Sequence, residues 1–312
     1  QEEPKVQIGL SFDSFVIERW MRERDVFVSA AKELGAEVNV QNANGDVRDQ
    51  ISQIEYFIRK QVDVIVVVAG DCEALTDVMI KAREAGIKTV SYDRLIQNAG
   101  CDLYISFDNT EVGRLMARSL LENIPDGGDI FLIQGPLTDH NVTLVREGID
   151  ETLAGSSLRV VYESNCAGWV AENAYTYTKE GLKQDRYVKG IICGNDDLAS
   201  QAFRALSEER LAGKVYVIGQ DGDLAACQRI VEGTQEMTAF KSVEQEASMA
   251  AKCAVLLGLG EEIEEARSTA YDGTYQVPYL ELQPIAVTGE NMDEVIIKGG
   301  FHAKEDVYLN VN

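Results

Sequence analysis

The sequence predicts an α/β protein of two Rossmann-like lobes, each a parallel sheet covered by helices. Two observations carry this reading: short apolar runs alternate with amphipathic stretches almost from end to end, and the alternation restarts after YISFDN. Length is a third. At 312 residues the chain exceeds one small core and suits two lobes of ordinary domain size. Strand–helix alternation implies right-handed crossovers, and hence parallel sheets with helices on both faces.

The elements follow in order. VQIGLSF reads as the first strand, and the helical pattern from Glu18 to Leu34 presents Trp20, Val26, Phe27, Ala30 and Ala31 on one apolar face. EVNVQNA, DVIVVVAG and KTVSYD are strands, separated by the helical stretches DVRDQISQIEYFIRK and EALTDVMIKAREAG. After YISFDN come a helix from Thr110 to Asn123, the strand DIFLIQG and a helix through Val145. VVYES, GIICGN and VYVIGQD are further strands, each followed by a helix. EMTAFKS, a helix from Glu244 to Leu257 and a single strand VPYLELQPIAV complete the pattern. The lobe boundaries fall near 108, 241 and 283. This gives residues 1–108 and 242–282 to one lobe, 109–241 and 283–312 to the other, and three crossings forming a hinge.

Composition excludes more than it identifies. Apolar residues make up 45% and aromatics 7%, which suits a globular chain. Acids outnumber bases by 52 to 29, and the formal net charge of −23 repels phosphate backbones and anionic lipid. No nucleic-acid partner is expected. The longest apolar stretch, Val62 to Gly70, contains Asp63 and falls far short of the ~20 residues of a spanning helix. No apolar signal segment stands near Gln1, so any export signal or anchor is expected to have been trimmed.

Cys72, Cys101, Cys166, Cys193, Cys227 and Cys253 include no Cys-x-x-Cys, and His140 and His302 are the only histidines. Neither a zinc site nor any other cofactor is expected. Cys193 and Cys253 lie inside apolar runs and read as small buried hydrophobes with free thiols, although a disulfide stays open.

In parallel α/β sheets ligands bind beyond the carboxyl ends of the strands. The polar residues at those places are Asp93-Arg94, Asp139-His140-Asn141, Asn195-Asp196-Asp197 and Asp221. Arg19 and Trp20 open the first helix, and Gly168-Trp169 follow VVYESNCA. Each has an ordinary alternative. Asp196 and Asp197 read first as helix N-caps, and Asn195 equally as cap or ligand. Asp93-Arg94 would also serve as a local ion pair, and both tryptophans as core residues. Recurrence at one topological place favours a cleft.

Asp93, Asp139 and Asp221 balance Arg19, Arg94 and Lys241, which suits a neutral ligand better than a phosphate or carboxylate. Carboxylates accept from hydroxyls, while Arg, Lys and Asn donate to the same oxygens. A tryptophan face meets the apolar C–H face of a pyranose, and two could sandwich it.

Ten stretches carry a resemblance: IERWMRERDVF, VQNANGD, SQIE, SYDRLI, YISFDNTEVG, GWVAENA, GNDDLA, GKVYVIGQDGDLA, RIVEGTQEMT and IIKGGFH. With them the chain resembles bacterial periplasmic xylose-binding proteins, within the ribose/galactose-type sugar receptors that feed ABC transporters. The resemblance implies the type I periplasmic binding protein fold, hinge closure on D-xylose or a related pyranose, and no catalysis. It further implies sugar contacts from Arg19, Trp20, Asp93, Arg94, Trp169, Asn195, Asp221 and Lys241. Asp139 and Asn141 of TDHN match the family's Asp-Asn-Asn run, with His140 replacing the middle residue. VAGDCEAL departs from the family's Tyr- or Asn-containing loop, so no contact is carried over there. The implied location is extracytoplasmic, with an ABC permease as partner or, alternatively, the outer domain of a sensor kinase in two-component signalling.

Two other classes fit less well. A sugar-responsive transcription regulator of the same fold would carry a basic helix-turn-helix before the first strand, where only a few residues stand. A sugar isomerase would need metal ligands, and a glycosidase a carboxylate pair at a set separation.

Overall fold

The computed structural model describes residues 5–311. Gln1, where the trimmed export signal was expected, lies outside them. The chain forms two compact units. Gln1–Asp108, Thr138–Asn141 and Ser242–Leu282 make the first; Asn109–Leu137, Val142–Lys241 and Gln283–Asn312 make the second.

In chain order, unit 1 opens with β1 (Gln7–Phe12), α1 (Arg19–Glu33), β2 (Glu37–Asn42), α2 (Val47–Arg59), β3 (Val64–Val68), α3 (Thr76–Glu84), β4 (Lys88–Tyr92) and β5 (Leu103–Phe107). There follow α4 (Asn109–Asn123), β6 (Gly128–Gln134), α5 (His140–Leu153), β7 (Leu158–Asn165), α6 (Glu172–Gln184), β8 (Gly190–Cys193) and α7 (Asp196–Glu208). Then come β9 (Tyr216–Gln220), α8 (Leu224–Glu232) and β10 (Met237–Phe240). The chain re-enters unit 1 for α9 (Val243–Gly258), β11 (Ser268–Tyr271) and β12 (Gln276–Leu282), and ends in unit 2 with β13 (Ile285–Val287) and α10 (Lys304–Val307).

Unit 1 carries a seven-stranded sheet in the order β11-β12-β5-β4-β3-β1-β2, and unit 2 a six-stranded sheet in the order β13-β10-β9-β8-β6-β7. Central strands are buried without interruption, as VIVVV in β3 and LYISF in β5 show, because helices cover both faces. The sheets are mixed rather than wholly parallel: β11 runs antiparallel to β12, and β13 to β10. VPYLELQPIAV is two strands in two different sheets, not one. The chain leaves unit 1 after Leu282, so pairing in its sheet stops there and resumes at Ile285 in the sheet of unit 2.

The helices start where local chemistry satisfies their free N–H groups. Asp46 caps α2 by accepting from Arg48 N at 2.8 Å, and Ser242 caps α9 by accepting from Gln245 N at 3.3 Å. α5 runs on well past Val145, to Leu153. All six cysteines are free and buried, so no disulfide forms.

Both sheets reverse their strand order beside a central strand, between β1 and β3 in unit 1 and between β6 and β8 in unit 2. Open α/β sheets bind ligands at such switch points.

Candidate functional site

In unit 1 the candidates form one buried polar cluster at the carboxyl ends of the strands. Arg19 and Trp20 open α1, Asp93 and Arg94 follow β4, and Asp139 and Asn141 stand at the start of α5. All six are buried. Asp93-Arg94 is not a local pair. Asp93 Oδ1 lies 3.2 Å from Arg19 Nη2, and its Oδ2 accepts from Asn141 Nδ2 at 2.9 Å. Arg94 turns the other way, with Nη1 3.2 Å from Asp13 and Nε 3.0 Å from Asp139. Nη1 also donates to the Ala69 carbonyl at 2.8 Å. Burial opposes the Arg94 charge, but Asp139, Asp13 and Asp93 outweigh it and hold the guanidinium protonated.

Trp20 packs against Phe12 with ring centroids 6.2 Å apart, and the Arg19 and Arg94 guanidinium carbons lie 4.4 and 5.5 Å from its centroid. It is a core residue that also fixes both cations.

Unit 2 gathers Trp169, Asn195, Asp221 and Lys241 after β7, β8, β9 and β10. Trp169 closes a short 3-10 turn, Ala167–Trp169, in which Gly168 and Trp169 both take positive φ (60° and 59°). Its indole lies against Gly135 and Gly194, which leave β6 and β8 at the switch point. Asn195 caps α7, its Oδ1 accepting from Leu198 N at 2.9 Å, while its buried Nδ2 has no partner among the described residues. Lys241 Nζ lies 3.8 Å from Asp221 Oδ1, both buried.

Asp196 is not an N-cap. It is the first residue of α7, fully buried, and accepts from Thr238 Oγ1 (2.7 Å), Gln235 Nε2 (3.0 Å) and Asp223 N (3.0 Å). Burial pushes its carboxyl up to about 7, against the pull of these donors. The cap role expected of Asp196 and Asp197 belongs to Asn195, because the cap is the last residue outside the helical backbone.

Backbone strain marks the same places. Asp93 (φ 67°), Trp169 (φ 59°) and Asp221 (φ 100°) are among the seven described non-glycine residues with positive φ. Such conformations cost energy and cluster at ligand sites.

Sequence reasoning missed Asp13, Glu23 and Glu246. Asp13 directly follows β1, so the strand-end rule already pointed to it. Glu23 stands one helical turn after Arg19, at the i+4 spacing of an ion pair. Glu246 had no such signal, because its approach to Arg19 depends on how α9 packs on α1. These three carboxyls make the unit 1 cluster more acidic than the balanced count suggested, which disfavours an anionic ligand further. A cavity of about 440 Å³ lined by Asp63, Gly86, Lys88 and Gly258 holds none of the ten candidates.

A family model, the periplasmic binding protein domain, matches residues 8–262. The chain belongs to that family. As a periplasmic binding protein it is 43% identical over 308 residues to the D-xylose-binding periplasmic protein of Haemophilus influenzae, covering 97% of this chain and 92% of that one. Its identity to the D-xylose-binding periplasmic protein of Escherichia coli is 40%, covering 97% and 93%. Among solved structures, an ABC transporter solute binding protein from Clostridium phytofermentans with bound β-D-glucose matches with a TM-score of 0.89. It is 25% identical and covers 96% of this chain and 99% of that one. The fold is that of the type I periplasmic binding proteins.

Proposed function

We propose that the chain binds one monosaccharide, D-xylose, and hands it to an ABC sugar transporter outside the cytoplasmic membrane, with no covalent step. The carrying observation is the unit 2 strand-end set. There a buried amide nitrogen of Asn195 has no acceptor among the described residues, beside the backbone-strained Trp169 and Asp221. A neutral polyol matches that set, since its hydroxyls accept from Asn195 and Lys241, donate to Asp221, and offer a C–H face to the indole.

In this reading Arg19, Asp93, Arg94, Asp139 and Asn141 hydrogen-bond the same sugar, with Trp20 holding the two arginines. Relatives named for D-xylose, at 40% and 43% identity, support the choice of sugar, and their periplasmic location supports the compartment. No helix among the described residues is long and apolar enough to cross a membrane.

Calorimetric titration tests the reading, with D-xylose first and then D-glucose, D-ribose and L-arabinose. Tight one-to-one binding of xylose with weak binding of the others is expected. No heat with any of the four overturns the assignment.

A further inference from the structure

Arg19 is the cation of a buried carboxyl cluster. Its Nη2 lies 2.6 Å from Glu23 Oε1, 2.5 Å from Glu246 Oε2 and 3.2 Å from Asp93 Oδ1. A terminal guanidinium nitrogen has two hydrogens, so three carboxyl groups compete for two donors and one positive charge. The Glu23 and Glu246 side chains have no solvent exposure.

Their second oxygens differ. Glu23 Oε2 accepts from the Tyr92 hydroxyl. Glu246 Oε1 is buried and receives no donor among the described residues, and its Oε2 meets Glu23 Oε1 at the same guanidinium nitrogen. Two ionised carboxylates can only accept, and fully buried beside Asp93 at one guanidinium nitrogen they would crowd like charges away from water, a cost that one proton on the pair removes. The ionisable groups that act on the pair are Arg19 from α1, Tyr92 and Asp93 from β4 and its exit, Tyr104 from β5 and Tyr279 from β12. Burial, then Asp93, then Glu23 itself push Glu246 well above the ordinary carboxyl range, and burial raises Glu23.

We propose that Glu23 and Glu246 share one proton and act as positioning residues that aim Arg19 at the bound sugar. The second half of this rests on the sugar-binding reading above. With the proton in place, the two carboxyls form one hydrogen-bonded unit that carries a single negative charge. Without it they repel each other and both pull on Arg19 Nη2, away from Asp93. A raised carboxyl keeps its proton at low pH and releases it as pH rises, so sugar affinity falls on the alkaline side.

The test uses the full chain, wild type beside Glu246→Gln and Glu246→Ala. The glutamine carbonyl still accepts from Arg19 and its amide still donates to Glu23, but it cannot titrate. A wild-type-minus-Glu246→Gln infrared difference spectrum at neutral pH should show a protonated-carboxyl band. Wild-type xylose affinity should fall by about tenfold or more on the alkaline side while the Glu246→Gln profile stays flat. Glu246→Ala should bind more weakly than Glu246→Gln throughout. No band in the difference spectrum, or parallel pH profiles, overturns the proposal. A band without binding of any sugar overturns the functional reading and leaves the shared proton standing.

Discussion

Gly135 and Trp169 are in such close contact that a Cβ on the glycine would come within 2.3 Å of the indole carbons Cζ2 and Cη2. No real Cβ contact is that short, so Gly135→Ala must displace the ring. The ring moves only by disturbing a turn already strained at Gly168 and Trp169. The expected outcome is an about tenfold or greater loss of xylose affinity, read by calorimetry, with a far-ultraviolet circular dichroism spectrum like wild type. Unchanged affinity would mean that the seat of Trp169 does not matter to the sugar.

Asp93 separates charge from backbone. Asparagine tolerates positive φ, so Asp93→Asn keeps the turn while weakening the contacts with Arg19 and with Asn141 Nδ2. A hydrogen bond to a charged group contributes roughly 1.5–3 kcal/mol, so affinity should fall about ten- to a hundredfold with thermal stability little changed. Asp93→Val should instead lower the melting temperature, because a β-branched residue at φ 67° is strained. If both variants melt alike, the backbone argument fails.

The strands and their exits were legible because a strand buried on both faces must be written as an apolar run, and polar residues gather in the turn that leaves it. That rule reached Asp93, Asn195 and Asp221, and applied evenly it reaches Asp13. It did not reach Glu246, which sits one turn into α9 and meets Arg19 through helix packing that no local pattern encodes. Nor did it separate cap from hub. Asn195 and Asp196 are neighbours of similar chemistry, and only the backbone angle at Asn195, with the donors from Thr238 and Gln235, assigns their roles. Nor does the apolar pattern mark the crossing after Leu282, where one run serves two sheets.

Asp196 gives unit 2 a pH dependence of its own. Its carboxyl stands at about 7, above the usual 3.8, so the folded state holds the proton more tightly than the unfolded state does. Stability is then fully present below the ordinary value and is lost as pH rises through about 7. Asp196→Asn cannot titrate and should flatten that part of a denaturant-midpoint profile. Its amide nitrogen replaces one of two accepting oxygens and so faces either the Gln235 donor or the Asp223 donor, and the variant should also be less stable at acid pH by about 1–3 kcal/mol. An unchanged slope would place the titration elsewhere.

The six thiols should be chemically silent in the folded protein. All are buried, and burial pushes Cys101 up to about 11 and Cys72, Cys166 and Cys253 up to about 12. The thiolate is the reactive form, so these raised thiols supply almost none at neutral pH, and burial keeps reagent from all six. Mass spectrometry after brief treatment with iodoacetamide should show no added label on the native protein and six labels in denaturant. A single fast-reacting thiol in the native state would mean that one of these apolar runs opens locally, and peptide mapping would show which.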